Sequence, residues 1–215
     1  NAEILRIAME QHAIDANCSP DDFTRTENVV VTSKPNENAR RYLNLPFFCD
    51  LITYGSNIVA SVDEQIYDFV KKYIDTKYPH GCFEMPQIHH LTNEFIKYGF
   101  LPCYQAEYWL PDVDVLYELP CRYDTRVLEP NDFTDLYLPR WSNALSPARP
   151  HLDMLGVGAY DDGKLIGLSG CSADCDTMWQ IGIDVLPEYR RQGVAAALTS
   201  RLAIEILKRE KVPFY

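Results

Sequence analysis

The stretch that decides the interpretation of this chain is "PEYRRQGVAAAL", Pro187 to Leu198. A proline-marked corner leads into an alanine-rich helix, with two arginines, a glutamine and one glycine at the junction. The first N–H groups of a helix have no partner inside the helix, and together with the helix dipole they attract anions. Gly193 leaves room for a ligand, and the alanines keep the next turn slim. The stretch therefore predicts a pyrophosphate site between a strand end and a helix start.

The elements around this corner are also readable. Apolar residues alternate from Trp179 to Val185, which predicts a strand that Pro187 ends, since proline cannot donate to a ladder. Upstream, "MLGVGAYDDGKLIGLSGC" predicts two strands joined by a hairpin turn. The pattern is not a P-loop, because no Gly-Lys-Ser/Thr follows. It is not a dinucleotide fingerprint either, because the corner holds a single glycine.

The residues from Arg190 to Ala195 fit the Arg/Gln-x-x-Gly-x-Gly/Ala signature of the GNAT superfamily of acyl-CoA-dependent N-acyltransferases. The longer string "IDVLPEYRRQGVAAALTSRL" also resembles that family's strand, corner and long helix. The order of strand, helix, hairpin and strand from Tyr123 to Val185 is similar to the first half of the family's fold. The resemblance implies an α+β fold with a mixed sheet, the GNAT fold.

The resemblance also implies roles for individual residues. Backbone groups at Ile183 and Val185, with Asp184 between them, are expected to pair with the pantetheine arm of acetyl-CoA as an added strand. Arg190 is expected to support the turn. The pyrophosphate is expected on the backbone N–H groups of six successive residues: Arg191, Gln192, Gly193, Val194, Ala195 and Ala196.

The implied activity is transfer of an acetyl group from acetyl-CoA to a primary amine of a small molecule or peptide. Many family members carry a glutamate base early in the strand, where this chain has Trp179 and Gln180. Asp184, Asp176 or a water relay could remove the proton, so the sequence assigns no catalytic residue. The missing glutamate keeps a second hypothesis open, a non-catalytic acyl-CoA-binding sensor or interaction module of the same fold.

The sequence predicts two domains, residues 1–120 and 121–215. In the first, "CFEMPQIHHLTNEFIKYGFLPCYQAEYWL" resembles a late strand, helix and closing hairpin of the family, while "NIVASVDEQ" lacks the glycine and arginine of the corner. We therefore expect either a degenerate GNAT-like unit, giving a tandem protein, or an unrelated accessory α+β domain. The last strands of the second unit are expected to lie beyond this sequence.

Composition narrows the partners. The chain has 215 residues and a formal net charge of -11, which argues against a nucleic-acid binder and slightly favours a cationic acceptor. No apolar run is long enough for a membrane span. Seven scattered cysteines without a CxxC pair favour reduced thiols and a cytoplasmic location. The oligomeric state stays open, a homodimer included.

Two groups of residues invite a metal-site interpretation. One is the pair His89 and His90 with Cys82, whose spacing fits no standard zinc pattern. The other is the loop that holds Cys171 and Cys175 among aspartates. Packing and a solvated acidic turn explain these residues better, so no metal is expected.

Overall fold

The computed structural model describes residues 1–215 and divides them into two compact units. The N-terminal unit comprises Ala8–Glu107, and the C-terminal unit comprises Asn1–Ile7 and Tyr108–Tyr215. These units differ from the predicted domains 1–120 and 121–215. The mixed α+β class is confirmed, with four α-helices and two mixed sheets. No helix combines the length and the apolar character that a bilayer-spanning segment requires.

The N-terminal unit is built on a small three-stranded sheet. Its strand order is β1-β3-β2, with β1 parallel and β2 antiparallel to the central β3. Helices pack against this sheet through a core that includes Ile58, Val70 and Ile74. The elements are α1 (Ala2–Ala16, whose first residues belong to the C-terminal unit), β1 (Val29–Thr32), β2 (Cys49–Ile52), β3 (Val59–Val62), α2 (Tyr67–Asp75) and α3 (Gln87–Phe95).

The C-terminal unit is built on a five-stranded sheet of order β4-β5-β6-β7-β8. The first four strands are antiparallel neighbours, and β8 runs parallel to β7. The elements are β4 (Asp124–Leu128), β5 (Asp153–Asp161), β6 (Lys164–Ser172), β7 (Met178–Val185), α4 (Val194–Leu207) and β8 (Val212–Phe214).

The two faces of the larger sheet carry different cores. Alternate residues of β5, β6 and β7, such as Val157 and Ile181, pack against Leu198 and other apolar residues of α4. On the opposite face Leu168 packs with the residues of the connection between β4 and β5, including Phe133 and Leu145. The sheet is therefore buried on both faces, and β7 lies beside its parallel neighbour with the corner at its end.

Three predicted elements are not formed. Residues 104–110 and 114–120, predicted as strands, belong to no sheet. Residues 82–85, also predicted as a strand, lie at the end of a 3-10 turn, Pro79–Phe83, that a proline opens. The helix predicted after Asn131 is reduced to short 3-10 turns. The closing hairpin expected of a GNAT-like N-terminal unit is therefore absent from this structure.

Candidate functional site

The corner between β7 and α4 has an unusual backbone. After the 3-10 turn Pro187–Tyr189, Arg191 and Gly193 both adopt left-handed conformations, with φ of 59° and 78°. Gly193 is the N-cap of α4 and supplies no capping side chain. Left-handed residues that alternate with ordinary ones turn successive N–H groups toward one concave side, a known anion-binding geometry.

The N–H groups of this corner are available to a ligand. The N–H of Arg190 bonds to the carbonyl of Pro187, and the next one along the chain to find a backbone acceptor is that of Ala197, at 3.0 Å from the Gly193 oxygen. The six N–H groups between them, in residues 191–196, are those predicted to hold the pyrophosphate. A Cβ on Gly193 would meet no atom within 4 Å, so the approach to them is open. Together these groups form a positive cradle at the start of a 14-residue helix.

The neighbouring polar side chains hold the corner in shape. The Nε of Arg190 donates to the carbonyl of Val185 at 3.0 Å, which ties the corner back to β7. The amide of Gln192 donates to the Glu188 carbonyl at 3.1 Å and accepts from the Tyr123 hydroxyl at 2.7 Å. Arg190 thus has the supporting contact that the sequence predicted, while the Gln192 side chain braces the turn.

The edge of β7 next to the corner is open. Strand β6 pairs with β7 as far as Val185, but β8 pairs only with its first three residues, Met178–Gln180. The N–H of Leu186 bonds to the carbonyl of Ile166 on the β6 side. Because bonding direction alternates along an antiparallel strand, Ile183 and Val185 direct their backbone groups to the other side. An extended ligand could pair there, although the Val185 carbonyl already accepts from Arg190.

Asp184 has a different set of contacts. Its carboxylate accepts three N–H bonds, from the backbone and side-chain nitrogens of Asn143 at 2.8 and 2.6 Å and from the Ala144 backbone at 3.0 Å. The same segment lies directly on the strand, because a Cβ on Gly182 would come within 1.8 Å of the Asn143 oxygen. Asp184 therefore anchors the connection between β4 and β5 over the face of β7 that is opposite α4.

One carboxyl group near this face was not singled out from the sequence. Asp153 begins β5, is 2% exposed, and lies in register with Ser172 of β6, which in turn pairs with Gln180. Burial raises the pKa of Asp153 to about 6, and the N–H of Ser146, which donates to its Oδ2 at 3.0 Å, acts in the opposite sense. The available signal was an acid at the start of an otherwise apolar strand.

The remaining candidates lie elsewhere. Trp179 packs into the core below α4, and Asp176 lies on the exposed turn before β7. His89 and His90 are exposed on α3, while Cys82, Cys171 and Cys175 are buried. No group of three or more His, Cys, Asp and Glu side chains is placed to hold a metal ion.

Comparisons with known proteins bear on this geometry. The model of the Acetyltransferase (GNAT) family matches residues 113–213. Among solved structures, a GCN5-related N-acetyltransferase-like protein from Streptococcus suis is 22% identical over 45% of this chain and 41% of its own, with a TM-score of 0.38. This chain thus spans less than half the length of that protein. The comparison with curated proteins finds no match.

Two further solved structures have stated activities. A ribosomal-protein-alanine N-acetyltransferase from Brucella melitensis is 25% identical over 42% of this chain and 75% of its own, with a TM-score of 0.31. The aminoglycoside N-acetyltransferase AAC(6')-Iy in complex with CoA is 21% identical over 46% of this chain and 78% of its own, also with a TM-score of 0.31. The family match covers β4 to β8 and the corner between them. The C-terminal half of the chain, over residues 113–213, is a GNAT acetyltransferase domain.

Proposed function

We propose that the C-terminal unit is an acetyl-CoA-dependent N-acetyltransferase that acts on a primary amine of a small molecule or peptide. The observation that carries this proposal is the pairing of two features at one corner. Six N–H groups at residues 191–196 form a cradle for a pyrophosphate, and the open edge at Ile183 and Val185 continues from it. Coenzyme A carries a pyrophosphate joined to an extended amide-bearing arm, which needs both features.

The residues of the corner fit this ligand. Arg191 and Gly193 aim the N–H groups, and Arg190 adds positive charge beside them. The N–H and carbonyl of Ile183 and the N–H of Val185 can pair with the amides of the arm in the manner of an added strand. The arm would then lie beside β7, and its thioester would lie farther along this strand from the corner.

Acetyl transfer at such a site needs little covalent chemistry from the protein. The amine nitrogen forms a bond to the acetyl carbon, the carbon–sulfur bond breaks, the nitrogen loses a proton and the thiolate gains one. Positioning the two reactants supplies much of the rate. A base with a pKa near the working pH would assist, and Asp153, whose pKa burial raises to about 6, is the carboxyl group to test first.

The proposed acceptor follows from charge alone. The net charge of -11 favours an amine-bearing cation, because opposite charge raises its concentration near the protein. A cytoplasmic location fits a donor such as acetyl-CoA and remains part of the proposal. The solved structures named above act on aminoglycosides and on a ribosomal protein, which sets the first acceptors to try.

The alternative is an acyl-CoA-binding module without catalysis. Trp179 and Gln180 stand where many relatives have a glutamate base, and the Asp184 carboxylate is occupied by three N–H donors. Neither observation supplies a group for proton removal on β7. Binding without turnover would follow if Asp153 cannot exchange a proton with the acceptor.

Two measurements on the full chain separate these functions. Calorimetry should detect acetyl-CoA binding, and free thiol should be released with at least one acceptor from a panel of aminoglycosides, polyamines and peptides with free N-termini. Binding without thiol release from any of them would replace the enzyme by the binding module. Failure to bind acetyl-CoA would overturn both functions.

A further inference from the structure

A groove runs beside α4 in the C-terminal unit. Its volume is about 430 Å³, within the range of small-molecule sites. Residues 118–121 form one wall, and Thr125, Ala197 and Arg201 form the other. None of these residues belongs to the corner described above, and the proposed pyrophosphate and pantetheine contacts do not use the groove.

Hydrogen bonds hold the two walls together. The Leu119 N–H donates to the Ser200 hydroxyl at 3.0 Å, which fixes the first wall against α4. The Arg201 guanidinium donates to the carbonyl of Thr125 at 3.3 Å and lies 3.7 Å from the Glu118 carboxylate. These contacts join β4, α4 and the segment before β4, so the groove exists without a ligand.

The groove and the cradle share a wall. Ala197 lies one helical turn beyond Gly193 and bonds to its carbonyl, so the groove begins about 6 Å from the start of the helix. Arg122 and Tyr123 directly follow the groove residues 118–121, and both donate to the side chain of Gln192, at 3.4 and 2.7 Å. A ligand that leaves the cradle on this side passes Gln192 and enters the groove.

The charge around this path is positive in an acidic protein. Four arginines, Arg122, Arg190, Arg191 and Arg201, border the cradle and the groove, while the whole chain has a net charge of -11. Glu118 is the single acid in the lining, and it already faces Arg201. Arg122 is exposed and contacts Gln192 and the Tyr123 ring, so it can turn toward an anion without leaving a buried partner.

We propose that this groove binds the adenosine 3'-phosphate end of coenzyme A. The adenine lies against Pro120 and Cys121, and the 3'-phosphate meets Arg122 at the rim. This inference rests on the proposed function, because the pyrophosphate must first lie in the cradle. It adds a subsite that distinguishes coenzyme A from the shorter phosphopantetheine carrying the same arm.

Calorimetry with ligand fragments tests the subsite. Coenzyme A, dephospho-coenzyme A and 4'-phosphopantetheine are titrated into the wild type and into Arg122→Ala. The control is Arg126→Ala, since Arg126 is equally an exposed arginine on a tyrosine ring, that of Tyr160, and does not line the groove.

We expect coenzyme A to bind the wild type about tenfold more tightly than phosphopantetheine, because the groove adds contacts to the nucleotide end. Arg122→Ala should weaken coenzyme A about fivefold, the range of an exposed charge pair, and leave the two ligands without a 3'-phosphate unchanged. Arg126→Ala should alter none of the three affinities.

Thiol labelling gives a second readout that does not involve the arginines. Cys121 lines the groove, and Cys103, in the other unit, is exposed and serves as the internal control. Adenosine 3',5'-bisphosphate should slow alkylation of Cys121, measured by mass spectrometry, and should leave the rate at Cys103 unchanged.

Three outcomes overturn the subsite. They are equal affinities for coenzyme A and phosphopantetheine, equal weakening of all ligands in Arg122→Ala, and unprotected Cys121. Each of these would leave the cradle intact provided that phosphopantetheine binds. If no fragment binds at all, the proposed function fails and the subsite fails with it.

Discussion

The two units contain the same local arrangement and use it differently. In the N-terminal unit β3 lies between antiparallel β2 and parallel β1 and leads to α2. In the C-terminal unit β7 lies between antiparallel β6 and parallel β8 and leads to α4. The parallel neighbour covers all four residues of β3 but only the first three of β7. Only the second arrangement leaves a strand edge open beside the corner.

The corners themselves carry opposite charge. At the end of β3, the Asp63 side chain accepts the N–H of Gln65 at 2.9 Å, and Glu64 and Asp68 follow. At the end of β7 the cap is Gly193, without a capping side chain, and arginines precede it. A carboxylate of the protein fills the place that a bound anion would take at the other corner. The capping residue, more than the arrangement of strands, therefore decides which corner can bind a ligand.

The largest expected effect comes from giving the second corner the charge of the first. Gly193→Glu should reduce acetyl-CoA affinity more than a hundredfold, because like charges facing each other cost several kcal/mol. Calorimetry measures the loss. Gly163→Glu is the matched control, since Gly163 has a φ of 80° and equally open space around it, yet lies in the β5–β6 turn. Unchanged affinity in Gly193→Glu would remove the cradle from the site.

The next effect concerns the segment that covers β7. Gly182→Ala should lower the free energy of unfolding by about 3 kcal/mol, because its Cβ would overlap the backbone oxygen of Asn143. Gly158→Ala on β5 meets only the side chains of Leu165 and Tyr160 and should cost about 1 kcal/mol. Urea unfolding compares the two variants. Equal costs would mean that the segment does not lie on the strand.

A smaller effect depends on pH. Asp153 keeps its proton to about pH 6 in the folded unit, whereas an aspartate in an unfolded chain has a pKa near 3.9. The native state therefore binds more protons between these values, and the free energy of unfolding falls as the pH rises through them. Asp153→Asn should remove about 2 kcal/mol of this fall between pH 4 and pH 7.

Urea unfolding of Asp153→Asn and wild type at the two pH values measures this difference. Asp135→Asn, an exposed position of the same unit, is the control and should leave the pH dependence as it is. If wild type and Asp153→Asn show the same dependence, the carboxyl is ionised in the folded protein.

The smallest effect tests the first corner. Asp63→Ala removes the side chain that caps the Gln65 N–H and should cost about 1 kcal/mol of stability. Acetyl-CoA affinity should not change, because the cradle lies at the other corner. Thermal unfolding with Glu64→Ala as the neighbouring control measures the cost. Weaker acetyl-CoA binding in Asp63→Ala would show that the first corner also contributes to the site.

The sequence was sufficient where structure is determined locally. The hairpin turn before Lys164, the proline after β7 and the glycine at the start of α4 each restrict the backbone on their own. That is why β5 to α4 and the position of the corner were predicted. The alternation in residues 104–110 shows only that a strand could form, since a strand also needs a partner edge. Those residues are mostly exposed and join no sheet.

The site was predictable to the same extent. The cradle depends on the backbone of one short stretch, and its residues could be named. The anchoring contacts of Asp184 and the burial of Asp153 depend on where residues 143–146 return to the sheet, some forty and ten positions away from these aspartates. No local pattern encodes such a return, so these two carboxyl groups could not be given their environments in advance.

The left-handed backbone of Arg191 has a consequence for how a ligand binds. A residue other than glycine holds this conformation at a cost of about 1–2 kcal/mol, which the folded unit must offset through its other contacts. The N–H groups are thereby preorganised before any anion arrives. Binding then spends little free energy on ordering the loop, and association should proceed with only small backbone movement at the corner.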